Sequence, residues 1–274
     1  MLRATFQHLP GVGPRGEALL WAQGVRDWGT LLDGPLPRGF GRARRESLRP
    51  SISSSERALA EGNAGYFAHR LPPSEHWRLY SSFPERTAFL DIETTGLSPR
   101  EGSITCVTVH GGGRTVTLVQ GEDLEEVAAV LRRFVLLVTF NGRSFDVPFL
   151  SASFPALVFP PGHADLMLLL RRLGQRGGLK IIEKRLGVGE RSGLEGVDGL
   201  EAVRLWRAHV RGVSGALERL LNYNRADTVN LEPLMQYATR EMERRLLHPE
   251  RPELRPGATS DANLDPRRRF LDGA

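Results

Sequence analysis

The nine residues AFLDIETTG, Ala88 to Gly96, decide how the rest of the chain is read. Ala88 to Ile92 is an apolar, strand-forming run, and Thr94, Thr95 and Gly96 end it in a polar turn. Side chains two apart on a strand share a face, so Asp91 and Glu93 emerge side by side while Ile92 turns into the core. Carboxylates this close repel one another unless a cation lies between them, and such hard oxygen donors suit Mg²⁺ or Mn²⁺. Taken alone, the triplet equally describes a solvated strand end.

Working outward, Ile104 to His110 and Thr115 to Gln120 are expected as strands, with Gly111 to Gly113 as their hairpin turn. Glu122 to Phe134 has helical periodicity, and Val135 to Phe140 is a continuous apolar run expected as a strand buried on both faces. NGRSFD, Asn141 to Asp146, follows at once and sets Asp146 just beyond a strand end, where α/β sheets build their sites. Before Val147 and Pro148 the same Asp also suits a helix N-cap. A helix over Phe145 to Phe154, a short strand over Ala156 to Phe159 and a helix over Asp165 to Leu173, with Asp165 as its cap, are expected next. Helices follow over Leu179 to Leu186, Leu200 to Val210, Ala216 to Asn224 and Asp227 to Leu246, the last with Pro233 inside its pattern. Within YNRADTVN, Tyr223 and Asp227 are four apart and share one helix face.

The sequence has 274 residues, a length comfortable for two domains, with 40% apolar and 25% charged residues, ordinary for a globular protein. Its longest apolar run, Phe134 to Phe140, is far below the roughly 20 residues of a membrane span. No membrane association is expected. Leu2 to Gly13 lacks the apolar stretch of a signal peptide, and one cysteine, Cys106, cannot close an internal disulfide, so the expectation is a cytoplasmic protein. The net charge is +5, and Lys180 and Lys184 are the only lysines among 37 basic residues. An arginine-rich surface suits a polyanion such as nucleic acid, and codon bias is the plain alternative. The seven histidines lack metal-ligand spacing.

Four segments are expected. Residues 1–50 hold the Gly-rich stretch LPGVGPRGEALL (Leu9 to Leu20), a helix over Arg26 to Leu32 and a basic Gly/Pro/Arg linker from Gly34 to Pro50. Residues 51–84 form a helical connector, with Ser53 to Ser55 capping a helix that runs to Arg70 and a further short helix over Ser74 to Phe83. Residues 85–246 are the α/β domain, and 247–274 a mobile Pro/Arg-rich tail.

The ordered set of a strand-borne Asp/Glu pair, N-x-x-x-F-D after a later strand and Y-x-x-x-D on a C-terminal helix resembles the DnaQ-like (DEDD) 3′–5′ exonucleases of the ribonuclease H-like fold. The resemblance covers Thr87 to Leu246 and implies a mixed β-sheet flanked by helices. It implies that Asp91, Glu93, Asp146 and Asp227 are ligands of two divalent cations, Mg²⁺ or Mn²⁺, and that Tyr223 orients the attacking water. Asn222 stands where the other subclass has its histidine, which favours the tyrosine subclass. By the same resemblance Asn141 and Phe145 hold the terminal nucleotides and Thr95 and Leu97 touch the 3′ end, although Phe145 and Leu97 serve equally well as core. LKIIEKRLG (Leu179 to Gly187) and GLEAVRLW (Gly199 to Trp206) resemble YprB-type bacterial exonucleases; read plainly, they are amphipathic helices. LPGVGPRGEALL resembles a helix-hairpin-helix turn, implying that Gly11, Gly13 and Arg15 dock DNA, although Glu17 departs from that pattern.

The expected function is therefore metal-dependent 3′–5′ exonuclease action on single-stranded DNA in repair or processing. An exoribonuclease trimming RNA 3′ ends is the alternative within the same class. A non-catalytic nucleic-acid-binding module of a helicase or repair complex is the alternative outside it. Oligomeric state has no sequence signal.

Overall fold

The computed structural model describes residues 1–189 and 199–250. Four helices precede the sheet: α1 (Pro14–Ala22), α2 (Trp28–Asp33), α3 (Arg42–Ala60) and α4 (Ala64–Ala68), followed by a 3₁₀ segment over Pro73–Ser82. The strands are β1 (Thr87–Thr94), β2 (Ile104–Gly111), β3 (Arg114–Val119), β4 (Leu136–Thr139) and β5 (Gly162–Asp165). Between and after them lie α5 (Val127–Leu131), α6 (Asp146–Ser153), α7 (Leu166–Arg172), α8 (Leu179–Leu186), α9 (Gly199–Val210), α10 (Ala216–Val229) and α11 (Leu231–Leu247).

The sheet is mixed, in the order β3-β2-β1-β4-β5. β1, β2 and β3 form an antiparallel meander, turning at Gly112 and Gly113, whose φ of +57° and +73° disfavour any residue with a Cβ. β4 and β5 continue the sheet in parallel. Thr87 pairs with Leu136 and Phe89 with Val138, so β1 and β4 end at the same edge, with β1 running further.

Alternation on β1 assigns the two faces. Ala88, Leu90 and Ile92 pack with Val127 and Leu131 of α5 and with Phe149 and Leu150 of α6. Phe89 faces the other way, into a core shared with α7, α8 and α11. That core is continuous with the N-terminal region: Leu2, Phe6, Trp28, Phe67 and Trp77 belong to it. Each such Leu or Phe contributes roughly 1.5–3 kcal/mol by leaving water. A smaller cluster joins Cys106 and Val119 to Ala202 and Leu205 of α9 and Leu220 and Tyr223 of α10.

Glu17 is one of the most buried charges in the protein. Its two carboxylate oxygens each accept from Arg78 at 2.9 Å, Oε1 also accepts from Phe6 N–H at 2.7 Å, and Arg78 Nε donates to Glu75 at 2.7 Å. The residue that departs from the hairpin pattern thus anchors α1 to the segment leading into the sheet.

Several expectations are corrected. The basic linker ending at Pro50 is helical from Arg42, and α3 ends at Ala60 rather than Arg70. Leu48, Ile52, Ser55 and Ala58 form a buried stripe at helical spacing that carries the helix through Pro50. Glu122 to Phe134 holds only a 3₁₀ turn and the single-turn helix α5. The strand expected over Ala156 to Phe159 is absent, and β5 begins beyond Pro160-Pro161, since proline has no N–H for a ladder. At Gly162 a Cβ would come within 2.6 Å of Leu79 Cδ1, so any other residue there requires the buried Leu79 side chain to shift. The break expected between Asn224 and Asp227 does not occur, because α10 runs unbroken through both. Pro233 lies in the first turn of α11, where its missing N–H costs no bond. Ser74 to Phe83 is 3₁₀ rather than α-helical. The expected tail lies, from residue 251, outside the described residues.

Candidate active site

The end of β1 delivers Asp91 and Glu93, two residues apart on one face. α10 crosses beside β1 and β2 and delivers Tyr223 and Asp227 one turn apart. Carboxylate oxygens of Asp91, Glu93 and Asp227 lie within 4.8 Å of one another. Asp227 comes from a position more than 130 residues beyond the other two. Asp146 lies outside that set, at the start of α6, yet its charge acts on both Asp91 and Glu93. It is not the N-cap: Phe145 holds that position, and the Asp146 side chain is buried.

The electrostatics follow from crowding acids in a dry place. Burial, then the charges of Asp146, Asp227 and Glu93, push the Asp91 carboxyl well above the usual range, against a hydrogen bond from Asn224. Burial, Asp227 and Asp146 push Glu93 up to about 8, while Lys180 pulls it down. Burial pushes Asp146 up to about 7, with the charge of Asp165 adding to the rise; hydrogen bonds from its own backbone and that of Ile92 oppose it. The Tyr223 phenol is raised too, by burial and by Asp227, to which it is hydrogen-bonded. Three carboxylates this close cannot all ionise cheaply without a positive charge among them. The donor set therefore fits hard divalent cations, as an all-oxygen site should.

The loop that carries Phe145 and Asp146 is held from below. Asp165 caps α7 through Met167 N–H at 3.1 Å, as expected, and also accepts from Asn141 N–H at 3.0 Å and Arg143 N–H at 3.2 Å. Asn141 has φ of +66°, the only non-glycine residue in the left-handed region among the described residues.

Beside the carboxylates is a cleft of about 620 Å³. Glu93, Thr94, Thr95, Gly96 and Leu97 line one side, Phe145 contributes its ring, and α9 forms the other side with Leu200, Val203, Arg204 and Arg207. Of the four residues expected to touch substrate, Thr95, Leu97 and Phe145 meet here, and Asn141 does not line the cleft. Leu97 is 87% exposed, which removes the core reading. Phe145 is half-buried, its ring 5.0 Å from that of Phe149. Gly11, Gly13 and Arg15 do not line the cleft either. Gly11 accepts a 2.6 Å hydrogen bond from Arg44, Gly13 precedes α1 as its N-cap and Arg15 is exposed.

Lys180, Asn224 and the arginines of α9 were not singled out as site residues from the sequence, although the stretches holding Lys180 and α9 were noted for their resemblance. Lys180 Nζ sits 4.5 Å from the Tyr223 ring centroid, and being one of two lysines in an arginine-rich chain was its visible signal. Asn224 is buried and donates to Asp91. A polar residue inside the Tyr-to-Asp spacing was its signal.

A family model described as RNase H superfamily matches residues 88–239, more than half of the chain. No curated protein matches the chain. Among solved structures, the family B DNA polymerase from the archaeon Pyrobaculum calidifontis is similar at 18% identity and TM-score 0.44, covering 57% of this chain. The match spans 26% of that polymerase, about a quarter of its length. Brucella melitensis NrnC is similar at 18% identity and TM-score 0.42, over 66% of this chain and 82% of that one. The Aedes aegypti Nibbler EXO domain is similar at 13% identity and TM-score 0.37, over 63% and 91%.

Proposed function

Because the chain belongs to the RNase H superfamily, we propose that it is a metal-dependent 3′–5′ exonuclease acting on single-stranded nucleic acid, DNA in preference to RNA. The observation that carries this reading is the meeting of Asp91, Glu93 and Asp227 oxygens within 4.8 Å, with Asp146 and Tyr223 beside them. These residues fill all five positions of the exonuclease pattern of the tyrosine subclass.

Asp91, Glu93, Asp146 and Asp227 would hold two divalent cations. Bound there, such ions supply Lewis acidity at a phosphodiester, favouring ionisation of water and stabilising the leaving 3′-oxygen. Asp227 and Asp91 are fixed by their own partners, Tyr223 and Asn224, so ligand geometry is set before a cation arrives. Tyr223 keeps its proton at neutral pH, since its phenol is raised above the ordinary value. It therefore acts as a hydrogen-bonding group that orients water, not as a base. Thr95, Leu97 and Phe145 line the cleft where the 3′-terminal nucleotides lie. The preference for DNA rests on the Gly-rich turn at Gly11 and Gly13, next to the exposed Arg15.

The test is a 5′-labelled single strand, as matched DNA and RNA, with Mg²⁺ or Mn²⁺. The expected product is a ladder shortened from the 3′ end, formed faster from DNA, and lost in both Asp91→Ala and Asp227→Ala. Cleavage unchanged in those two variants would place the activity elsewhere. RNA turnover roughly tenfold faster than DNA, 1.4 kcal/mol of transition-state preference, would reverse the choice of substrate.

A further inference from the structure

We propose that Arg204 and Arg207 of α9 grip the phosphates of the substrate strand upstream of the bond that is cut, so that strands longer than a dinucleotide are favoured. The proposal rests on the exonuclease reading of the carboxylate cluster and adds a strand-holding wall to it.

The first argument is the pattern on α9. Leu200, Val203, Arg204 and Arg207 line the cleft at spacings of three, one and three, a single helical face. Ala202 and Leu205, on another face, are buried against Cys106, Val119 and Tyr223. One face of α9 is thus fixed against the helix that carries Tyr223 and Asp227, and another looks into the cleft. The arginines are positioned by the same packing that positions the acids.

The second argument is the chemistry of the two walls. Leu97 is 87% exposed and Leu200 70%, both on the cleft, which is a large apolar outlay for a surface facing only water. Bases and sugars cover such surfaces, and the Phe145 ring offers a stacking platform beside them. Arg204 and Arg207 are exposed on the same wall, about one helical turn apart. A guanidinium fork matches phosphate geometry. Arg204 meets the half-buried Glu201 at 3.4 Å, but its own side chain is largely exposed, so the pair is weak enough for a phosphate to displace.

The third argument is electrostatic. A site built from four carboxylates repels a polyanion, and the two arginines offset that repulsion on the strand's approach. A dinucleotide has one phosphodiester, which must sit at the carboxylate cluster to be cut. Only a longer strand has further phosphates for α9.

The experiment uses the full chain, with Arg204→Ala/Arg207→Ala as the test variant and Arg132→Ala/Arg133→Ala as a surface control. Labelled single-stranded DNAs of two, four and eight nucleotides serve for Mg²⁺-dependent kinetics, and the longest for binding in EDTA across a salt series. For the test variant, the log–log salt slope of binding should fall by roughly 0.7 per arginine removed. Its KM should rise about tenfold for the longer strands with kcat unchanged, and dinucleotide kinetics should stay within about twofold, the mark of lost uniform binding. Lysine at both positions should restore the salt slope. A salt slope and KM equal to those of the control overturn the proposal. Equal losses for the dinucleotide and the eight-mer also overturn it, because they mean damage to the carboxylate cluster. Arginine-dependent binding by a wild type that cleaves nothing overturns the exonuclease reading and leaves the strand grip standing.

Discussion

The side-chain amide of Asn224 donates a 2.8 Å hydrogen bond to Oδ2 of Asp91, tying α10 to the strand that starts the carboxylate cluster. Asn224 is fully buried, and its Oδ1 finds no hydrogen-bond partner among the described residues. A donor held this firmly fixes which Asp91 oxygen stays open for a cation. Asn224→Ala should weaken Mg²⁺ activation about 10- to 100-fold, the usual loss when a ligand's supporting bond is removed. The check is the Mg²⁺ concentration for half-maximal cleavage, with circular dichroism as the folding control. An unchanged half-maximum in a folded variant means Asn224 plays no part in holding Asp91.

Acids crowded at the site make the metal-free protein sensitive to base. The unfolded chain ionises Asp91 and Asp146 from about 3.8 and Glu93 from about 4.5, whereas in the folded state Asp146 holds its proton to about 7 and Glu93 to about 8. Below about pH 3 these groups are protonated in both states and cost nothing. As pH rises from 4 to 8 the unfolded state sheds protons first, so folding stability falls across that window. His8 and His163, lowered by burial to about 3 and about 4, act in the opposite sense below pH 6.5. Comparison with Asp91→Asn cancels them. In EDTA the variant should gain melting temperature relative to wild type as pH rises from about 4.5 to 8, and Mg²⁺ should rescue wild type more than the variant. Parallel melting curves at both pH values would contradict this.

The Arg78–Glu17 pair is the structural bond between the N-terminal helices and the sheet. Both side chains are 1% exposed, so removing one partner strands a buried charge. Arg78→Met should cost about 3–5 kcal/mol, since Glu17 loses its cation while buried, and Glu75 keeps only Arg172. Glu17→Gln should cost less, because an amide oxygen still accepts from Phe6 N–H. Urea midpoints report both values. A loss below about 1 kcal/mol for Arg78→Met would mean water reaches the pair, as in surface bridges.

Most of the site was legible because its signals are local. Asp91 with Glu93 is a strand spacing and Tyr223 with Asp227 a helix spacing, and each holds whatever the distant chain does. What failed was where polar residues do buried work. Asn224 and Asp227 looked like helix ends, yet α10 runs straight through them, because they are occupied by Asp91 and Tyr223. The start of α3 was hidden by Arg42, Arg44, Arg45 and Arg49, whose charge density resembles a linker. The deciding stripe of Leu48, Ile52 and Ala58 lies further on. β5 was misplaced by four residues of apolar bait ahead of two prolines. Lys180, Arg204 and Arg207 act only through tertiary neighbours, so spacing alone had nothing to say about them.

Asp165 shows how support beneath a site can be separated from the site. Its carboxylate accepts from Asn141, Arg143 and Met167 backbone N–H groups, and none of those three residues lines the cleft. Asp165→Ala leaves two donors of a part-buried loop and one at the start of α7 without that acceptor, with Asn141 already in a strained left-handed conformation. Stability should fall by about 2 kcal/mol or more. Because Phe145 and Asp146 ride on the same loop, kcat should fall further than stability predicts at temperatures where the variant is fully folded. Asp165→Asn retains one acceptor oxygen and should recover part of both losses. A variant that loses stability but turns over at the wild-type rate would show that α6, not the 141–143 loop, sets the position of Asp146.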